Sequence, residues 1–340
     1  MTSTASPYTV PQAFENHWPQ MVMNPSCNSL QDPGGFIQVS AVSPREMEPG
    51  KLDTARQKIR SLNISQILHE DEDGDTLLHI YAAKGMREFA YAVAELLQEY
   101  NQLDIKEHRG KTPLLVAITA NQPDIVKDLI LLGADVNISD QNGQTALHLA
   151  ATYGLSSIIE GINSTGAALN IEARNFEGLT PLHCAVISHN STFKKQLSMQ
   201  QQVMAHEKMI CIQLLLHMGA NIFSQEIKSN KTVLHLAVQE GNLPLVKFFL
   251  ELEFQDKQKF VNLKAHGNTA LHMAAGLHND DNQEQIIRLL LAHGADVSIR
   301  NLENDQAVHL LQPGEKGERI KHLLKRGRAM TSSRHQNISL

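Results

Sequence analysis

Six of the chain's seventeen histidines, His79, His148, His183, His235, His272 and His309, each close the same short phrase of sequence. Imidazoles bind metals and move protons near neutral pH, so these residues are the first candidates for a site. A metal centre takes ligands at short spacing, such as i and i+4 of one helix. These histidines lie over 30 residues apart, one per phrase, and that spacing speaks for structural hydrogen bonding instead. His183–Cys184 pairs a base with a thiol, but Cys184 falls where a helix packs small side chains, and a buried thiol is inert. The chain contains no G-x-x-x-x-G-K-[ST], G-x-S-x-G or H-E-x-x-H. These residues therefore predict a non-enzymatic protein with no catalytic residue, no cofactor and no metal.

The elements that position them are written as a repeat. The phrase runs G-D-T-L-L-H (74–79), G-K-T-P-L-L (110–115), G-Q-T-A-L-H (143–148), G-L-T-P-L-H (178–183), N-K-T-V-L-H (230–235) and G-N-T-A-L-H (267–272), with a worn copy N-D-Q-A-V-H (304–309). The Thr-equivalent positions 76, 112, 145, 180, 232, 269 and 306 are spaced 36, 33, 35, 52, 37 and 37 apart. A period near 33 carrying T-P-L-H is the ankyrin signature. The residues of the phrase divide the local work. Gly supplies a positive φ in the turn, Thr is the helix N-cap, and Pro113 and Pro181 stand at a first helical position where no N–H is needed. Leu78, Leu114, Leu147, Leu182, Leu234 and Leu271 then point into the stack. A second helix follows in each repeat and ends in phrases such as L-G-A-D (132–135), where Gly takes the left-handed cap. A single helix pair cannot hide its apolar face, whereas stacked copies can. The fold expected is all-α: an ankyrin-repeat solenoid of about seven repeats over 71–327. This also explains why aromatics are only 5% of the chain.

Outside the repeats the composition shifts. Seven of the twelve prolines fall in residues 1–50, with five charged residues and no sustained period, so this leader is expected to be disordered. Scattered aromatics there (Tyr8, Phe14, Trp18, Phe36) read as unpacked side chains rather than a docking motif. Leu52, Ala55, Ile59 and Leu62 step as one helical face and predict a capping helix within 51–70. The 52-residue interval reflects an insertion in the fourth repeat, 188–208, expected as an exposed loop, partly helical near 199–209. The net charge of −6 divides into a body of −11 and a segment 314–340 of +5, whose last part, 328–340, is expected as a disordered basic tail. Lys325, Arg326 and Arg328 there suit either a solvated tail or a nuclear-import or phosphate contact. No apolar h-region opens the chain and no apolar run approaches the roughly 18 residues of a membrane span, so neither secretion nor a membrane is expected.

Several stretches lie outside the generic repeat consensus. Glu72–Gly85 with Leu103–Ala117, then Ser224–Gln239, Lys264–Ala275 and Arg300–Leu311, resemble the nuclear, atypical IκB proteins, over about residues 50–328. The resemblance implies a regulator of NF-κB-dependent transcription of cytokine and inflammatory genes. It implies binding to Rel-homology dimers, in particular small-subunit homodimers, with DNA met only through the partner. The location implied is the nucleus, with the cytoplasm as a second place. Cytoplasmic inhibitors carry a D-S-G-x-x-S phosphodegron and an acidic, Pro-rich end. Here the former is absent and the end is basic, which favours tolerating a DNA-bound partner over stripping it. The alternative is a generic ankyrin adaptor for a non-Rel partner.

In either case the turn tips and first helices should hold the partner. The candidate tip residues are Asp73, Asp75, Glu107, Arg109, Lys111, Asp140, Asn142, Asn175, Phe176, Lys228, Asn230, Lys231, His266 and Asn268. Phe176 stands out, because a large ring at a turn tip serves either a partner or a neighbouring tip.

Overall fold

The structure, a computed structural model, describes residues 47–193 and 199–336, with side chains as far as 325. Most of the leader, with Tyr8, Phe14, Trp18 and Phe36, lies outside the described residues. Its expected boundary at 50 moves slightly, because helix α1 (Pro49–Arg60) already begins at Pro49. Proline is well tolerated there, since a first-turn N–H has no partner in any case. A one-turn helix α2 (Ile64–Ile67) follows, held by a reciprocal box: Gln66 N–H donates to Asn63 Oδ1 at 2.8 Å and Asn63 N–H to Gln66 Oε1 at 3.0 Å. Ala55, Ile59 and Ile67 bury the inner faces of this cap.

Seven helix pairs then stack in chain order, each beginning at a phrase. They are α3 (Leu77–Ala83) with α4 (Arg87–Glu99), α5 (Pro113–Thr119) with α6 (Pro123–Leu131), and α7 (Ala146–Tyr153) with α8 (Ser156–Ser164). Next come α9 (Pro181–Thr192) with α10 (Met199–His217), and α11 (Val233–Gln239) with α12 (Leu243–Glu251). A short α13 (Lys257–Val261) precedes α14 (Ala270–Ala275) and α15 (Gln283–Ala292). The worn seventh phrase forms a 3-10 turn, Ala307–Leu310, and is followed by α16 (Glu315–Gln336). First helices pack on first helices (α3 on α5, α5 on α7, α7 on α9, α9 on α11, α11 on α14) and second helices on second helices, so the core runs between the two layers. The six phrase leucines are all buried.

Each Thr of the phrase is an N-cap in extended conformation, as at Thr76, Thr145 and Thr232. The histidine three residues on completes the joint in two directions. Its Nδ1 accepts the cap residue's N–H, at 3.1 Å for Thr76–His79 and 3.2 Å for Thr232–His235. Its Nε2 faces a carbonyl of the next repeat: Lys111 O at 3.2 Å for His79, Leu179 O at 3.0 Å for His148, Lys231 O at 3.2 Å for His183, Leu263 O at 3.1 Å for His235 and Asp305 O at 3.1 Å for His272. A carbonyl only accepts, so Nε2 carries the proton and the ring is neutral. Among the described residues no cluster of three or more His, Cys, Asp or Glu could hold a metal, and no helix is long and apolar enough to cross a membrane.

Two sequence expectations change. The insertion is not an exposed loop at its edges, because α9 continues to Thr192 and α10 starts at Met199, with 194–198 outside the described residues. Ser188, His189 and Lys208 are buried, which polar composition alone does not reveal. The basic tail is helical rather than unstructured as far as Gln336, because it continues α16, the second-layer helix of the seventh repeat.

Burial holds His79, His148, His183, His235 and His272 below the ordinary imidazole value, His235 down to about 4. The unfolded chain therefore binds more protons than the folded one between about pH 6.5 and pH 4, and stability is lost as pH falls through that window. Between pH 7 and pH 5, above the main carboxylate range, the unfolding free energy should drop by more than about 1.4 kcal/mol per pH unit in its steepest part, since several histidines contribute. Denaturant titrations at stepped pH measure this slope, and a flat profile would exclude the neutral clip.

Candidate functional site

The turns at the repeats project as seven fingers, six closed by a pair of main-chain hydrogen bonds and the sixth by a strand pair. They span Asp71–Asp75, Glu107–Lys111, Asp140–Gln144, Asn175–Leu179, Glu226–Lys231, Ala265–Asn268 and Asn301–Asp305. The opening residue braces its own finger. Asp140 Oδ1 accepts the N–H groups of Asn142 (2.8 Å) and Gln144 (2.9 Å), and Asn175 Oδ1 accepts those of Glu177 and Leu179 (both 3.0 Å). Glu107 accepts from Arg109 and Lys111, each at 2.8 Å. Glu107, Asp140 and Asn175, expected among the tip contacts, are thus buried and occupied inside the finger.

The structure places the other candidates unequally. Asp73, Arg109, Asn142, Phe176, Lys228, Asn230 and His266 are exposed at the tips. Asp75, Lys111, Lys231 and Asn268 are half-buried nearer the helices. Lys111 Nζ donates to Thr119 Oγ1 at 3.1 Å, and burial holds this ammonium below its ordinary value. Asn268 Oδ1 accepts from Asn301 Nδ2 at 3.1 Å. Lys325 is exposed on α16, while the side chains of Arg326 and Arg328 lie outside the described residues.

Phe176 is 77% exposed and has company that composition did not point out: Ile227 at 65% and Leu302 at 77%. These three occupy one register, the residue after the finger's opening Asn or Glu, where the second and third fingers carry His108 and Gln141. Aligning the fingers on that opening residue would have found them. Each sits over the preceding finger's turn. A Cβ on Gly143 (φ +74°) would come within 2.7 Å of the Phe176 ring, and one on Gly178 (φ +80°) within 2.6 Å of Ile227 Cβ. The glycines thus allow the tips to stack closely while the outer faces of the three apolar side chains stay open. Phe176 therefore packs on a neighbouring tip with one face and remains mostly uncovered.

Away from the fingers, the base of the fourth-repeat insertion is a polar joint. Ser188 Oγ donates to Thr152 O at 2.5 Å, and Asn242 Nδ2 to His189 Nδ1 at 2.9 Å and Asn190 Oδ1 at 2.7 Å. Lys208 Nζ donates to Ser188 O at 3.0 Å, and burial lowers it to about 8. Burial also pushes the Cys184 and Cys211 thiols up to about 12, so neither is a thiolate at neutral pH.

The ankyrin-repeat family model (Ankyrin repeats, 3 copies) matches residues 50–140, 116–203 and 200–301. NF-kappa-B inhibitor delta of Homo sapiens is 57% identical over 302 residues, covering 87% of this chain and 94% of that protein. The chain is a member of the atypical IκB family. NF-kappa-B inhibitor zeta of Homo sapiens is 42% identical over 81% of this IκB-family chain, but that match spans only 40% of the zeta protein. The crystal structure of the ankyrin repeat domain of Bcl-3, described as a unique member of the IkappaB protein family, aligns with a TM-score of 0.62 at 31% identity, over 75% of this chain and all of that one.

The insertion joint of this IκB-family member generates a stability prediction. Lys208 is a buried cation whose ammonium donates, among the described residues, to a neutral carbonyl and meets no carboxylate, and such groups are often replaceable by apolar side chains of similar volume. Lys208→Met should leave the melting temperature unchanged or raise it. Lys208→Ala should lower it by opening space beside Gly154. A large loss with Met would mean the charge itself holds the joint.

Proposed function

We propose that the chain is a non-enzymatic nuclear regulator of NF-κB-dependent transcription that binds Rel-homology dimers through its ankyrin fingers. The observation that carries this reading is the 57% identity extending over 94% of a human protein named as an NF-κB inhibitor. Exposed apolar tips on a braced finger row add a physical reason, since large uncovered side chains in one register mark a protein-docking surface. The dimer favoured is a small-subunit homodimer, and DNA is met only through that partner. The basic end, of which α16 presents Lys325, repels no DNA phosphate and so favours a complex on DNA over removal from it. On this reading the protein acts in the nucleus.

Added to a small-subunit homodimer on κB DNA, the protein should produce a slower-migrating ternary band. Loss of the DNA-bound band would instead support a trapping inhibitor, and no interaction with any Rel dimer would sink both. The triple variant Phe176→Ala, Ile227→Ala, Leu302→Ala should weaken binding at least about tenfold, given about 1.5–3 kcal/mol for fully burying each such side chain. Its melting temperature should stay within a few degrees of the parent, because the outer faces of all three are open. Unchanged affinity would confine these residues to tip-to-tip packing.

A further inference from the structure

The fingers are not joined to one another in a uniform way. Main-chain bonds zip the first four together: His108 N–H donates to Asp73 O at 3.2 Å, Gln141 N–H to Arg109 O at 3.1 Å, and Phe176 N–H to Asn142 O at 3.0 Å. Among the described residues, the equivalent amides of Ile227, His266 and Leu302 make no such bond to the finger before them. Finger length gives the reason. The first four and the seventh close over five residues, the fifth closes over six (Glu226–Lys231), and the sixth is a four-residue hairpin (Ala265–Asn268). One residue gained and then one lost moves the tip amides out of register with the neighbouring carbonyls.

From that point, among the described residues, the fingers are joined by side-chain bonds, of a kind that also runs between fingers two and three, where Lys106 Nζ donates to Ser139 O at 2.7 Å. Arg174 Nη1 donates to Gln225 O at 2.8 Å, Gln225 Nε2 to Lys264 O at 2.9 Å, and Lys264 Nζ to Arg300 O at 2.8 Å. His266 Nε2 donates to Lys228 O at 3.0 Å. Bonds made by long, exposed side chains open more readily than main-chain rungs, because each must restrain several rotatable bonds. Two of the three apolar tips, Ile227 and Leu302, lie beyond the last main-chain rung, and Phe176 makes that rung.

We infer that the finger row is divided after Phe176 into a fixed half, fingers one to four, and a separately adjustable half, fingers five to seven, whose tips settle individually on a partner. The division follows from this chain's own geometry. The partner-fitting role rests on the function proposed above.

Residue-resolved amide hydrogen exchange on the free full-length protein tests the division. The amides of His108, Gln141 and Phe176 should exchange at least about tenfold more slowly than those of Ile227, His266 and Leu302, as bonded and open groups differ. Equal protection across the row would overturn the inference. The variant Lys264→Met, which removes the bond from the sixth finger's base to Arg300 O, should speed exchange at Asn301 and Asp305 about fivefold, the effect of losing one net hydrogen bond, and leave Gln141 and Phe176 unchanged. A change of equal size in both halves would mean a single rigid row. With a small-subunit Rel homodimer added, the amides of fingers five to seven should gain more protection than those of fingers two to four. A gain of equal size in both halves would overturn the fitting role. Absence of any binding would instead count against the proposed function, while exchange in the free protein still decides the division.

Discussion

A neutral imidazole, shared between a helix cap and the next repeat, is the joint on which this architecture depends. Its Nδ1 accepts from the cap residue's N–H and its Nε2–H reaches a carbonyl across the repeat boundary, as His148 does to Leu179 O at 3.0 Å. One side chain thus ends the preceding turn, starts the helix and fixes the distance to the following finger. Burial favours the neutral ring, and only the neutral ring can accept and donate at once. The second repeat has Leu115 in the histidine slot. There Thr112 caps the Leu115 N–H at 3.4 Å, and apolar packing between α5 and α7 makes the join.

Because the joint is repeated, most of each repeat is committed to holding its neighbours. Freedom to vary collects at the finger tips and at the insertion. At the tips, a braced Asp, Asn or Glu leaves the next residue free to face outward, and this chain places Phe176, Ile227 and Leu302 in that position. The same fingers change length at the fifth and sixth repeats. The apolar register therefore coincides with the region where main-chain coupling gives way to side-chain coupling.

The insertion shows the opposite arrangement. Its polar residues, which suggest a solvated loop in sequence, turn inward at the base, where Ser188, His189, Asn190 and Lys208 meet Thr152, Leu236 and Asn242 from the repeats on either side. The fourth repeat is thus fastened through its enlargement rather than in spite of it.

The repeat, its caps, the inward leucines and the structural role of the histidines were legible in the chain alone, because each depends on contacts within a few residues or on exact recurrence of one phrase. The family was legible for the same reason, in stretches beyond the generic consensus. Which tip residues are free was not. Glu107, Asp140 and Asn175 look like surface groups in sequence, yet backbone N–H groups two to four residues on draw them inward. Ile227 and Leu302 look like ordinary apolar residues until the fingers are superposed. Burial of Lys208 and the missing rungs after Phe176 depend on segments 20 and 51 residues apart meeting at hydrogen-bonding distance. That proximity is set by the stacking of repeats, and no local pattern encodes it.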